Sequence, residues 1–196
     1  MKSTDTRTEI LDTAQELIQR LGVNAMSYAD ISEAVGIRKA SIHYHFSTKD
    51  DLVAALLDRY NPYFLKLVDL IIASPESPET KLRRYCALFE ATLSSGEQDQ
   101  ACLCGMLGAE LKTLKLPLAE RVIQFYRDNE VRLVKILTEG REAGVFSFPG
   151  DINAMATLIF SLLEGGLLII RANGGIAQFR AIVEQLMQLV KGFKSK

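Results

Sequence analysis

The sequence predicts an all-α protein. Apolar residues recur at helical spacing along nearly the whole chain, and Ser, Thr, Asp, Gly and Pro stand where such segments begin and end. No run alternates apolar with polar residues as a half-buried strand would.

The elements follow in order. Ile10, Ala14, Leu17, Ile18 and Leu21 share one face of a first helix, which Gly22 ends. Ser27 caps a short second helix, with Asp30 completing a capping box; it carries Ile31, Ala34 and Val35 and stops at Gly36. A third short helix runs from Lys39 to His45. Ser47 or Thr48 caps a fourth, where Asp50 and Asp51 meet the positive end of its dipole. That helix reaches about Ile72, with a kink expected at Pro62, where an internal hydrogen bond is lost. Ser74-Pro-Glu-Ser-Pro reads as a loop. Further helices are expected over residues 80–94, 101–114, 117–143, 152–172 and 176–192. Pro117 falls in a first turn, where a missing N–H costs little, and Gly144 and Pro149-Gly150 mark a break.

Composition narrows the function classes. Lys and Arg number 23 against 24 Asp and Glu, a net charge of −1, so any nucleic-acid binding has to come from a local basic cluster. The beginning of the chain lacks the apolar run of a secretory signal. The nearest approach to a membrane span, residues 154–170, is interrupted by Ser161, Glu164 and two glycines, so no membrane association is expected. Three cysteines, an odd set, point to free thiols in a reducing cytoplasm. No Gly-rich phosphate loop, nucleophile elbow or metal-ligand cluster stands out, so neither enzyme activity nor a cofactor or metal is expected.

Tyr28 to His45 has the length and punctuation of a helix-turn-helix, whose second helix enters the major groove. Arg38 and Lys39 bring positive charge to the leading turn, and Ser41 is small enough for close approach and can bond base or phosphate. His43, Tyr44 and His45 add donors at phosphate height, and Lys49 opens the next helix where a phosphate would sit. Two short helices around a glycine also occur in unrelated proteins. A helical protein–protein adaptor without specific DNA binding is the alternative on geometry alone.

The segment from Tyr28 to Leu52, above all Tyr44-His45-Phe46 followed by Lys49 and Leu52, resembles the signature of the TetR family of transcriptional regulators. The resemblance implies an N-terminal three-helix DNA-binding domain over residues 1–47 and a C-terminal helical effector-binding and dimerisation domain over 48–196. It implies a one-component regulator, in most such proteins a repressor. Such a protein binds a palindromic double-stranded DNA operator as a homodimer and is released by a small ligand or by thiol modification. Carried over by position, Lys39, Ser41 and His43 face bases, Ser27, Tyr44, His45 and Lys49 hold phosphates, and Phe46 and Leu52 pack beneath. His43 stands where the family often has an aromatic residue, which leaves the base preference there open. Activation instead of repression is also open on the residues.

The C-terminal half is less explicit. Ala154, Leu158, Leu162, Gly165 and Leu168 share one apolar face, and Phe179, Ile182, Val183, Leu186 and Val190 another. By resemblance these last two helices build the dimer interface; otherwise they are ordinary core faces. Phe64, Tyr85, Phe89, Met106, Phe125, Tyr126 and Phe160 either line an effector pocket or form core. Cys102 follows the polar turn at residues 94–100 and begins a helix, whose dipole favours a thiolate. The stretch from Cys102 to Glu110 resembles the same region of the electrophile- and oxidant-sensing members, the N-ethylmaleimide reductase repressor type, in which the cysteine matching Cys102 does the sensing. The competing reading is a buried, inert thiol. Cys102 and Cys104, two apart, point about 200° apart on a helix and do not suit a mutual disulfide.

Overall fold

In the computed structural model, which describes residues 5–94, 99–173 and 175–192, all regular elements among the described residues are helical. They are α1 (Thr6–Leu21), α2 (Tyr28–Val35), α3 (Lys39–His45), α4 (Lys49–Ala73), α5 (Pro78–Ser94), α6 (Leu103–Ala109), α7 (Leu116–Glu142), α8 (Ile152–Asn173) and α9 (Ile176–Lys191). A single 3-10 turn, Leu111–Thr113, lies between α6 and α7. The chain divides into two compact units, Met1–Tyr63 with Leu103–Phe125 and Phe64–Cys102 with Tyr126–Lys196, and α4 and α7 each contribute to both.

Unit 1 packs α1 against α2, α3 and α6. Ile10, Leu11, Ala14 and Ile18 of α1, Ile31 of α2, Ile42 of α3 and Leu52, Val53 and Leu56 of α4 are among its buried apolar residues. Leu21, expected on the core face of α1, is 53% exposed, and Ala34 is exposed too, because each stands in the last turn before a helix stop. Gly36 ends α2 in the left-handed region, φ 74° and ψ 29°, which glycine adopts without a Cβ penalty. Thr48, rather than Ser47, caps α4: its Oγ1 accepts from Asp51 N at 3.1 Å while its own N–H donates to Asp51 Oδ2 at 2.9 Å. Pro62 lies inside α4 without ending it. Arg59 of α4 donates to Asp12 Oδ1 at 2.6 Å and to Gln15 Oε1 at 2.9 Å, tying it to α1.

The helix expected over residues 101–114 is shorter. α6 stops at Ala109, and the Glu110 carbonyl is taken by a 3-10 bond from Thr113 N at 2.9 Å and by Thr113 Oγ1 at 2.8 Å. Glu110 instead turns its carboxylate to the α1–α2 connection. It accepts from Val23 N at 2.5 Å and from Asn24 N at 3.3 Å.

In unit 2, α5, α8 and α9 pack on one another. Their buried faces are Leu82, Tyr85, Phe89 and Leu93; Ile159, Phe160, Leu163, Leu167 and Ile170; and Phe179, Val183, Leu186 and Val190. An antiparallel series of ion pairs lies along α5 and α9: Glu79 with Lys191 at 2.7 Å, Arg83 with Glu184 at 2.6 Å, and Glu90 with Arg180 at 2.6 Å. Most of the α9 face offered as a dimer contact is thus spent within the protomer. The corresponding face of α8 is not, since Ala154, Leu158, Leu168 and Ile169 are exposed and Leu162 and Gly165 half-buried. By length and composition, residues Ile152–Ala172 are apolar enough to cross a membrane, which the interruptions at Ser161 and Glu164 argued against. Burial of one face of α8 and the apolar stripe on the other account for that composition. Of the expected polar turn at 94–100, residues 95–98 lie outside the described residues.

Candidate functional site

The helical period of α3 separates its two sides. Ile42 and the following Phe46 are buried, whereas Arg38, Lys39, His43 and Tyr44 are exposed and Ser41 and His45 half-buried; Tyr44 keeps 86% of its surface. Its ring meets that of His45 edge-on at 5.2 Å between centroids and leaves most of its surface to solvent. Arg38 is extended at the N-cap, φ −74° and ψ 146°, so the positively charged residues stand at the free beginning of the helix.

Tyr28, which the motif contains but the sequence argument gave no role, secures this arrangement. Its hydroxyl lies 3.0 Å from Phe46 O and 2.7 Å from Thr48 O, and its ring is 4.9 Å from that of His43. Burial, then the charges of Asp51 and Asp50, pushes the phenol up to about 12, so it stays a donor. The available signal was an aromatic residue at the first position of a capped helix, and it is not specific.

Ser27 forms the expected capping box. Its backbone N–H and its hydroxyl both donate to Asp30 Oδ2 at 2.8 Å. Hydrogen bonds from Ser27, then the charges of Lys39 and Lys49, hold the Asp30 carboxyl below its ordinary value, against a smaller desolvation effect. Lys49 is half-buried, and its ammonium donates to Val23 O at 2.9 Å. Asn24, Ser27, Tyr28, Lys39, His43 and Lys49 line an open concavity of about 480 Å³. The structure therefore brings Ser27, Lys39, His43 and Lys49 to one concave surface, and leaves Arg38, Tyr44 and His45 beside it on the same helix and its N-cap.

The expected effector residues divide between the units. Met106 and Phe125 belong to unit 1, where the Phe125 ring lies tilted against that of Tyr60, 6.0 Å between centroids. Tyr85, Phe89, Cys102, Tyr126 and Phe160 belong to unit 2. There Phe89 meets Tyr85 at 5.4 Å, Phe64 at 5.6 Å and Phe160 at 6.2 Å between ring centroids, and Tyr126 meets Phe160 at 5.5 Å. Such tilted and edge-on pairs are what aromatic quadrupoles favour.

Two polar groups inside this apolar cluster escaped the sequence argument. Asn129 is fully buried and accepts the Tyr85 hydroxyl at 3.0 Å. Glu164, half-buried as a residue, has its Oε1 out of solvent with no hydrogen-bond partner. Desolvation pushes its carboxyl up to about 7, partly offset by a hydrogen bond with the Cys102 side chain. The signal is present in the sequence, because Glu164 interrupts an apolar helix one turn after Phe160.

Cys102 precedes α6, which has only seven residues, and its neighbour is a carboxylate. All three cysteines are buried thiols outside any disulfide. Burial pushes Cys86 up to about 12, and Cys104 donates to Asn61 Oδ1 at 3.2 Å.

Comparison with known proteins adds to this geometry. Residues 10–56 match the tetR family of bacterial regulatory proteins, and residues 78–186 match the tetracyclin repressor-like C-terminal domain. The chain is 27% identical over 169 residues to the HTH-type transcriptional repressor NemR of Escherichia coli, covering 84% of this chain and 83% of the relative. It is 25% identical over 154 residues to the transcriptional regulator AcuR of Cereibacter sphaeroides, covering 78% and 70%. A TetR-family regulator from Agrobacterium tumefaciens superposes with a TM-score of 0.87 at 32% identity, over 94% of this chain and 96% of that one.

Proposed function

We propose that this chain, which belongs to the tetR family of bacterial regulatory proteins, is a one-component repressor that holds a palindromic operator as a homodimer and releases it when a small effector acts on unit 2. That it is a transcriptional regulator with an N-terminal helix-turn-helix follows from the family. The observation that carries the operator reading is the two-sided α3. Its apolar side is spent on the core, while Arg38, Lys39, Ser41, His43 and Tyr44 stand on the other, beside a concavity that includes Lys49.

In this reading Lys39, Ser41 and His43 meet base edges, and Ser27, Arg38, Tyr44, His45 and Lys49 hold the phosphates. Ser27 already spends its hydroxyl hydrogen on Asp30, so it takes part by reorienting that hydroxyl. The unspent apolar stripe on α8 supports a second copy of the chain as partner, and an isologous dimer matches the symmetry of a palindrome. The aromatic cluster of unit 2, with Cys102 at its polar edge, supports a small-molecule or electrophile effector. The relatives are regulators, which favours a cytoplasmic protein without catalysis of its own.

The test is a fluorescence-anisotropy titration of DNA from immediately upstream of the protein's own gene, at several salt concentrations and against random competitor. Saturable binding that outcompetes random DNA supports the operator reading. Absence of binding even at low salt moves the helical adaptor to the front.

A further inference from the structure

We propose that His43 meets the operator as a hydrogen-bond acceptor, so that it selects adenine or cytosine against guanine or thymine at one position of each half-site. The inference deepens the reading of α3 as the operator-facing helix and rests on it.

A neutral imidazole donates from one ring nitrogen and accepts at the other. Which one donates is set by the partner the ring already has. His43 Nδ1 lies 3.3 Å from Ser47 O, four residues further along the chain. A carbonyl oxygen only accepts, so the ring proton sits on Nδ1 and Nε2 keeps its lone pair. The opposite tautomer would set the Nδ1 lone pair against the carbonyl oxygen. Nε2 is the ring nitrogen farther from the backbone, and the exposed His43 side chain lines the same concavity as Ser27, Lys39 and Lys49.

The Ser47 bond belongs to a larger arrangement. Residues Phe46, Ser47 and Thr48 connect α3 to α4, and carbonyls near a helix end need donors from outside the helix. The Tyr28 hydroxyl reaches Phe46 O at 3.0 Å and Thr48 O at 2.7 Å, and Ser47 O between them falls to His43. Two side chains thus serve three successive carbonyls. Tyr28 also flanks the imidazole, at 4.9 Å between ring centroids and 59° between planes. Turning Nδ1–H toward DNA would take its donor from Ser47 O.

In the major groove the donors are the amines adenine N6 and cytosine N4, whereas guanine O6 and N7 and thymine O4 accept. Nε2 therefore gains a bond at A or C and faces lone pairs at G or T. Every base pair has one such amine, so the preference fixes which strand carries it. A·T and C·G suit His43 in one orientation, and T·A and G·C do not. Lys39 only donates, and so favours guanine. One recognition helix then asks for a keto base at one position and an amino base at another. An aromatic residue without a ring nitrogen at position 43 would impose neither demand.

The test has two readouts on the full chain. Its histidines number only two, so nitrogen-15 labelling of histidine gives a spectrum simple to assign with His43→Phe. At about pH 8, where an ordinary histidine is uncharged, His43 is expected to carry its proton on Nδ1. A proton on Nε2 overturns the proposal. Selection of binding sites from a random duplex pool at the same pH reads the consequence for DNA. Wild-type sites should carry A or C at one position per half-site, with G or T there about 10-fold less favoured. His43→Phe should erase that preference and leave the other positions as they were. Tyr28→Phe keeps the ring but frees the turn, and should weaken the same preference without changing affinity for random DNA. A G or T preference at the position that His43→Phe alters overturns the proposal, as does a His43→Phe motif identical to the wild type. An enriched motif without the amino-base position sinks the proposal and leaves the operator reading standing. No enriched motif at all sinks the operator reading and the base preference with it.

Discussion

The Glu110 carboxylate occupies the space that a side chain at residue 22 would fill: a Cβ built on Gly22 would lie 2.9 Å from Glu110 Oε2. Gly22 also has φ 91°, so the turn after α1 is shaped twice over for glycine. Through this approach Glu110 reaches Val23 N and Asn24 N, and Asn24 Nδ2 reaches Thr113 Oγ1 at 2.9 Å. The connection leading to α2 is thereby held by a residue distant in sequence.

Glu110→Ala should leave two backbone donors without their acceptor and lower unfolding stability by about 1–3 kcal/mol in a urea titration. Gly22→Ala, which adds strain to the collision, should cost at least as much. Unchanged midpoints in both variants would remove the hook from the account of unit 1.

Lys49 tests the surface proposed to face DNA. Its Val23 bond is available for exchange with a phosphate. Lys49→Ala is expected to weaken binding to all sequences alike and reduce the salt slope by about one unit. An unaltered slope would mean that Lys49 stays on the Val23 carbonyl when DNA is bound.

The α8 stripe bears on the oligomeric state. Leu158 is 47% exposed in the protomer, so Leu158→Arg should spare the fold while placing a charge in a two-fold apolar contact. Sedimentation should show monomers with undiminished helical circular dichroism, and operator affinity should collapse. A persistent dimer would locate the interface elsewhere.

Glu164 should also leave a mark on stability. Its folded carboxyl titrates at about 7, above the ordinary value of 4.5, so the folded chain binds more protons than the unfolded one between those values. Stability therefore falls as pH rises through that interval and levels above it. The contribution amounts to up to about 3 kcal/mol, and Glu164→Gln should abolish this dependence. Melting temperatures at about pH 5 and about pH 8, compared between the two proteins, measure it.

The sequence by itself determined the helices, their caps and the DNA-reading segment, because these are written in local terms. The capping box of Ser27 and Asp30, the stop at Gly36 and the apolar–polar period of Lys39 to His45 involve residues within a turn or two of one another. Tertiary structure alone decided which apolar faces were spent and which polar groups met. The α9 face of Phe179 and Leu186 and the α8 face of Leu158 look equivalent as periodic patterns, yet one is buried within the protomer and the other is open. Glu110 left its expected helix to cap a turn far back in the chain, and Glu164 found Cys102 across a long separation in sequence. Periodicity records that a residue shares a face, but which group shares its surroundings depends on packing between distant segments, and it is packing that set the proton affinity of Glu164.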